Sequence, residues 1–176
     1  MKKNQIFALT LGTVISLFSL SHSIASTSQL VLPVAKNPIV NKSMATGLVI
    51  TYAAAENNVD PATHNPIADR LQLTLKNVSS KSLSRLEVYY LMTDVVTKAK
   101  EGYYQKLTGV TIAPKKSMTV YFDGGKQADH YPENQFSLYR SSQNQVNFKI
   151  WVSAPGVKIA QATALKSTGT GEKPGA

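Results

Sequence analysis

Cysteine is absent from the 176 residues, and histidine occurs three times. The first absence excludes a disulfide framework, a thiolate zinc site, a cysteine nucleophile and a lipid anchor on cysteine. His22 falls inside the apolar leader described below, so His64 and His130 remain for imidazole chemistry. Acidic residues are few, 10 against 19 lysines and arginines, for a net charge of +9. The Gly-x-Ser-x-Gly nucleophile elbow, the Gly-x-x-x-x-Gly-Lys phosphate loop and the His-Glu-x-x-His zinc helix are all missing. No basic run with interleaved aromatics marks a nucleic-acid site. Apolar residues are plentiful, 43% of the chain, which is enough for a packed core and too many for a disordered chain.

Residues 1–25 have the parts of a secretory signal peptide: Lys2 and Lys3, then an apolar stretch over 6–20, then small residues Ser23 and Ala25. That stretch is about 15 residues, short of the roughly 20 that a spanning helix needs. Cleavage is expected between Ala25 and Ser26. No second stretch is long and apolar enough to span a bilayer, so the expectation is an exported protein with no integral membrane segment, periplasmic or secreted. Its Lys-, Asn-, Ser- and Thr-rich composition has a bacterial character. Loss of Lys2 and Lys3 leaves 17 basic residues against 10 acidic ones, +7 over 151 residues. A chain of this length supports one core, stable without disulfides.

Residues 26–46 carry Pro33 and Pro38 and read as an extended lead-in, with 30–34 able to pair at a sheet edge. Residues 167–176 are small, polar and Gly-rich, and read as a flexible tail. One domain, 47–166, lies between, and its hydrophobic period is two. Leu71, Leu73 and Leu75 alternate with polar residues, as do Val146, Phe148, Ile150 and Val152. Leu86, Val88, Tyr90 and Met92 alternate with Glu87, Tyr89, Leu91 and Thr93, and Met118, Val120 and Phe122 with Thr119, Tyr121 and Asp123. Such alternation predicts half-buried strands. Leu48, Ile50 and Tyr52 predict a first strand, and Val157 and Ile159 open a last one. Residues 103–112 predict one strand, or two around Gly109. A short helix or turn fits 132–139. Turn residues separate the runs, including Ala154-Pro155-Gly156 as a tight hairpin. Seven to eight short strands with little helix predict an antiparallel β-sandwich.

The run RLQLTLKNVSSKSLSRLEVYYLMTD resembles the second and third strands of a bacterial secreted immunoglobulin-like β-sandwich domain. An apolar alternating strand ends in Lys-Asn and a short polar loop, and a Tyr-rich strand then crosses to the other sheet. The cysteine pair and core tryptophan of antibody domains are missing. The resemblance spans 47–166 and implies a domain that binds, spaces or stabilises.

Three candidate sites follow. By parity Trp151 shares a row with Asn147, Lys149 and Ser153, Tyr89 with Glu87 and Thr93, and Tyr121 with Thr119 and Asp123. Aromatics on outward rows suit a wet binding surface. The leading expectation is therefore a non-enzymatic, monomeric binding or accessory module without a cofactor, recognising an envelope polysaccharide or envelope protein through Trp151, Tyr89 and Tyr121. The opposing expectation is that the N-terminal segment or a loop covers these rings. The second candidate is the 123–133 loop, where Asp123, Asp129, His130 and Glu133 offer ligands to calcium or another metal, although Lys126 lies among them. The third is a hydrolase site built from loops around His64 or His130. The lysines and arginines, from Lys76 to Lys126, fit anionic envelope polymers, lipid headgroups or acidic proteins better than nucleic acid, and also guard strand edges.

The exported form is expected to begin at Ser26, which its intact mass reads directly. A chain recovered with Met1 in the membrane fraction would refute this.

Overall fold

The computed structural model describes residues 31–64, 69–169 and 171. The leader expected at 1–25 and most of the 167–176 tail lie outside those residues. Eight strands and one helical turn follow in order: β1 (Leu48–Ala55), β2 (Leu71–Asn77), β3 (Leu83–Asp94), β4 (Lys100–Ile112), β5 (Ser117–Phe122), β6 (His130–Tyr131), α1 (Leu138–Ser141), β7 (Val146–Ser153) and β8 (Ala160–Lys166). They form two four-stranded sheets, ordered β1-β2-β5-β6 and β4-β3-β7-β8. Every pair is antiparallel except β5 and β6. The result is a β-sandwich. Among the described residues no helix is long and apolar enough to cross a membrane.

The alternating rows face each other across the sandwich. Leu73, Leu75, Val120 and Phe122 of one sheet are 0% exposed and meet Val88, Met92 and Val152 of the other, likewise 0%. Each such side chain contributes roughly 1.5–3 kcal/mol on leaving water. The centre is aromatic: the Tyr90 ring lies 5.6 Å from Tyr103, 5.6 Å from Phe122 of the opposite sheet and 6.2 Å from Phe148.

Two irregularities alter the simple pattern. In β1 the register shifts between Ile50 and Tyr52, so Ile50 faces the core and Tyr52 turns outward, 52% exposed. The first strand expected from Leu48, Ile50 and Tyr52 forms, and the inserted Thr51 reverses parity within it. Between β3 and β4 the register jumps from Ser84–Thr111 to Leu86–Leu107. Arg85 (φ 53°) and Gly109 (φ 77°) take left-handed conformations in this bulge. Residues 100–112 are thus one strand, bulged at Gly109. The last strand starts at Ala160 rather than Val157, because 154–157 are used by the turn, with Gly156 at φ 80°.

The connections divide between two ends. At the first end, four short segments are tied together: the Val78 N–H donates to Gly47 O, Lys158 N–H to Ala45 O and Asn77 N–H to Lys116 O. Buried Asn77 donates from Nδ2 to Lys81 O and Ile112 O. At the second end, residues 132–145 plug the sandwich. Tyr139 packs edge-on against Phe148 and donates its hydroxyl to Glu56 O and Arg70 O. Asn134 donates to the Tyr103 hydroxyl, which donates to Glu101. Ser137 caps α1 and accepts from Arg140 N–H.

Asp94 ties the β3–β4 turn to this plug. It accepts from the Ser142 hydroxyl at 2.7 Å, from Asn144 Nδ2, and from the Val96 and Thr97 N–H groups at 2.8 Å. The Ser142 bond, then the Thr97 and Asn144 bonds, hold its carboxyl well below the usual carboxylate range. A depressed carboxyl adds stability that is present above its unfolded pKa, about 3.9, and is lost as pH falls below it. Asp94→Asn should therefore melt earlier than wild type at neutral pH, with the gap closing below about pH 4. A gap unchanged on acidification would show that the carboxylate charge is not what stabilises the turn.

Candidate functional site

Strand pairing builds a row across the outer face of the β4-β3-β7-β8 sheet. Tyr104 of β4 stands opposite Tyr89 of β3, Tyr89 opposite Trp151 of β7, and Trp151 opposite Gln161 of β8. Tyr89 and Trp151 touch, with ring centroids 5.4 Å apart and planes tilted by 38°. Their neighbours Val88, Tyr90, Ile150 and Val152 point into the core, so alternation forces this row outward. Tyr104 donates its hydroxyl to Glu87 Oε1 at 2.6 Å. Burial, then that bond, pushes its phenol up to about 12. Polar residues flank the row: Glu87 and Lys106 on one side, and exposed Lys149 and Thr163 on the other.

The N-terminal segment crosses this face. The Val34 N–H donates to Gly102 O at 2.8 Å. Seven residues on, Asn41 Nδ2 donates to Ser153 Oγ, Ala154 O and Val157 O at 2.9–3.1 Å. Gly102 pairs with Leu91 and Ser153 with Glu87, and Tyr89 lies on β3 midway between those two. The strap therefore runs diagonally over Tyr89, which is 4% exposed despite its outward position. Trp151 and Tyr104 emerge on either side of it, half-buried. Beneath its first anchor a cleft of about 780 Å³ opens between Pro33, Val34, Tyr89, Leu91, Phe136 and Leu138.

The three rings expected to form one surface are divided. Trp151 and Tyr89 are together, but the strap makes Tyr89 a covered floor. Tyr121 sits on β5, in the other sheet, whose outer face points away. It is occupied by its own neighbours: the His130 ring stacks on it at 4.8 Å and the Arg70 guanidinium lies 5.0 Å from its centroid. Tyr104 takes the place expected for Tyr121. Its parity with Lys106 is the sequence signal, once Tyr103 is assigned to the core.

The four expected metal ligands do not converge. His130 Nδ1 lies 2.9 Å from both Asp123 oxygens, and Nε2 lies 3.7 Å from Asp129. Glu133 instead pairs with Arg140, at 3.0 Å from Nε and 2.9 Å from Nη2. Among the described residues no group of three His, Asp or Glu side chains is arranged to hold a metal. The cause is Arg140, whose short helix brings a cation to the carboxylate. The Asp123–His130 pair has two members of a hydrolytic triad, yet the Asp129 carboxylate, 3.7 Å away, faces the nitrogen that a nucleophile would need. His64 lies in the turn that Asp60 caps through Ala62 and Thr63 N–H.

Gly102 leaves room for Tyr89. A Cβ at position 102 would lie 2.6 Å from the Tyr89 hydroxyl oxygen. Gly102→Ala is expected to cost about 1–3 kcal/mol in denaturant unfolding, with much of the loss recovered when Tyr89→Ala is added. Strictly additive effects would show that the ring does not lie over the glycine.

No family model and no curated protein matches this chain. Among solved structures, it resembles the Bordetella pertussis protein designated ApaA, at TM-score 0.42 and 9% identity, over 72% of this chain and 97% of that one. It also resembles the Pseudomonas fluorescens alkylpurine DNA glycosylase AlkC, at TM-score 0.36 and 14% identity, over 68% of this chain and 30% of that one. A Listeria innocua β-glucosidase follows at TM-score 0.33 and 12% identity, over 70% and 16%. The chain thus spans nearly all of the first and less than a third of the other two. Likenesses of this size carry nothing over to this protein.

Proposed function

We propose that this is an exported, non-catalytic binding module of immunoglobulin-like kind. It recognises an envelope polysaccharide or envelope protein through the outer face of the β4-β3-β7-β8 sheet. The observation that carries this reading is the cross-strand row Tyr104, Tyr89, Trp151 and Gln161, with Trp151 half-exposed among polar neighbours. Aromatic rings with polar tips, set on a rigid sheet, give contact area at small entropic cost. The immunoglobulin-like part is supported by strand order. β1-β2-β5 follows the A-B-E order of such domains, and β4-β3-β7-β8 follows C′-C-F-G. The row favours binding over hydrolysis, since its members stack and hydrogen bond but include no paired base and nucleophile.

Trp151 is the one tryptophan, so emission has a single source. A binding polymer is expected to shift that emission and shield it from a soluble quencher. Trp151→Ala is expected to weaken binding at least about tenfold, ~1.4 kcal/mol, with the melting temperature little changed. Emission that no envelope glycan or envelope protein alters would refute the reading.

A further inference from the structure

We infer that the ligand of this face is a linear acidic polysaccharide, whose carboxylates are held at the first end of the sandwich. This rests on the aromatic-face reading above and names the ligand's charge. The topology leaves positive charge unbalanced at one end. The first end gathers Lys42 before β1, Lys76 and Lys81 around the β2–β3 loop, Arg85 in the bulge, Lys115 and Lys116 between β4 and β5, and Lys158 before β8. All seven are exposed. Among the described residues no carboxylate lies in these segments. The carboxylates collect at the other end: Glu56, Asp60 and Asp69 between β1 and β2, Asp94 and Glu101 around the β3–β4 turn, Asp123, Asp129 and Glu133 after β5, among Arg70, Lys98, Lys100, Lys126, Arg140 and Lys166.

Between the cationic end and Tyr104 a groove of about 600 Å³ lies over the β3–β4 bulge. Arg85 and Lys106 border it, Ser84, Thr108 and Thr111 bring hydroxyls, and Pro155 closes one side. Glu87 also lines it, but its carboxylate accepts from Tyr104 and stands opposite Lys106. On the groove's side of the strap, the next ring along the same face is Tyr104, two residues from Lys106 on β4. A polymer of sugar rings stacked on Tyr104 places hydroxyls against the threonines and directs acid groups to Arg85 and the lysines beyond. A lipid surface is flat and would meet the loops alone. The continuous path from ring to groove to cations therefore favours a chain.

The test measures binding of the full exported protein to polygalacturonate, to neutral dextran, and to vesicles of equal parts phosphatidylcholine and phosphatidylglycerol. The variants are Tyr104→Ala and the triple Lys81→Gln, Arg85→Asn, Lys116→Gln. Asparagine tolerates the left-handed conformation at position 85. If the triple variant fails to fold, the double Lys81→Gln, Lys116→Gln replaces it. The expected result is polygalacturonate binding that falls with added salt, weakens at least tenfold in the charge variant and weakens in Tyr104→Ala. Equal affinity for dextran, or a charge variant that binds polygalacturonate like wild type, overturns the inference and leaves the aromatic face standing. Vesicle binding without polygalacturonate binding overturns it in favour of a lipid surface. Loss in the charge variant with none in Tyr104→Ala for any glycan overturns the aromatic-face reading, and the continuous path with it.

Discussion

The position of Tyr90 decides what every other strand can do. Its ring reaches both sheets, touching Tyr103 beside it and Phe122 across the sandwich. Because side chains alternate, placing Tyr90 inward places Tyr89 outward, and with it Trp151 and Tyr104 on the paired strands. A slip of one residue in β3 would put Tyr89 and Glu87 into the core and expose Val88, Tyr90 and Met92. Glu87 would then be a buried carboxylate, which is costly. The register is thus fixed by burial, and the outer face is its by-product.

That dependence also explains which features the sequence revealed. Period-two rows at 71–75, 86–92, 118–122 and 146–152 gave four strands and both inner faces of the sandwich, because regular alternation needs no knowledge of partners. The first strand at Leu48, Ile50 and Tyr52 was legible, but the outward turn of Tyr52 was not, because a bulge at Thr51 reverses parity through the backbone without a residue type that announces it. Gly109 did announce an irregularity, but a bulge and a turn read alike from one strand. The site was legible in part. Trp151 and Tyr89 were placed outward correctly, since only their own strands were needed. Uniting them with Tyr121 required knowing which strands share a sheet, and parity holds no such information. Glu133 was matched to a metal because Arg140, seven residues away, could not be known to turn back on it.

Covering Tyr89 reconciles two demands on an outer face. Three exposed rings in a row would be an apolar patch open to aggregation as well as binding. The strap removes the middle ring from water and leaves the flanking pair half-exposed. It is held by few bonds, with Asn41 making three of them from one amide. The segment before β1 therefore shapes the surface although it pairs with no strand as a ladder.

Unbalanced cations at one end, against a mixed and slightly acidic other end, give the sandwich a permanent electric dipole along its strands. Such a molecule experiences a torque near a charged object before anything touches. At about 0.1 M salt the field is felt over roughly 10 Å, about two strand spacings. Within that range, an anionic surface or polymer would rotate the protein so that the turns around β2–β3, β4–β5 and β7–β8 lead and the plugged end trails. Orientation would then be chosen during approach, and the encounter rate would depend on ionic strength even where the final contacts are mostly apolar.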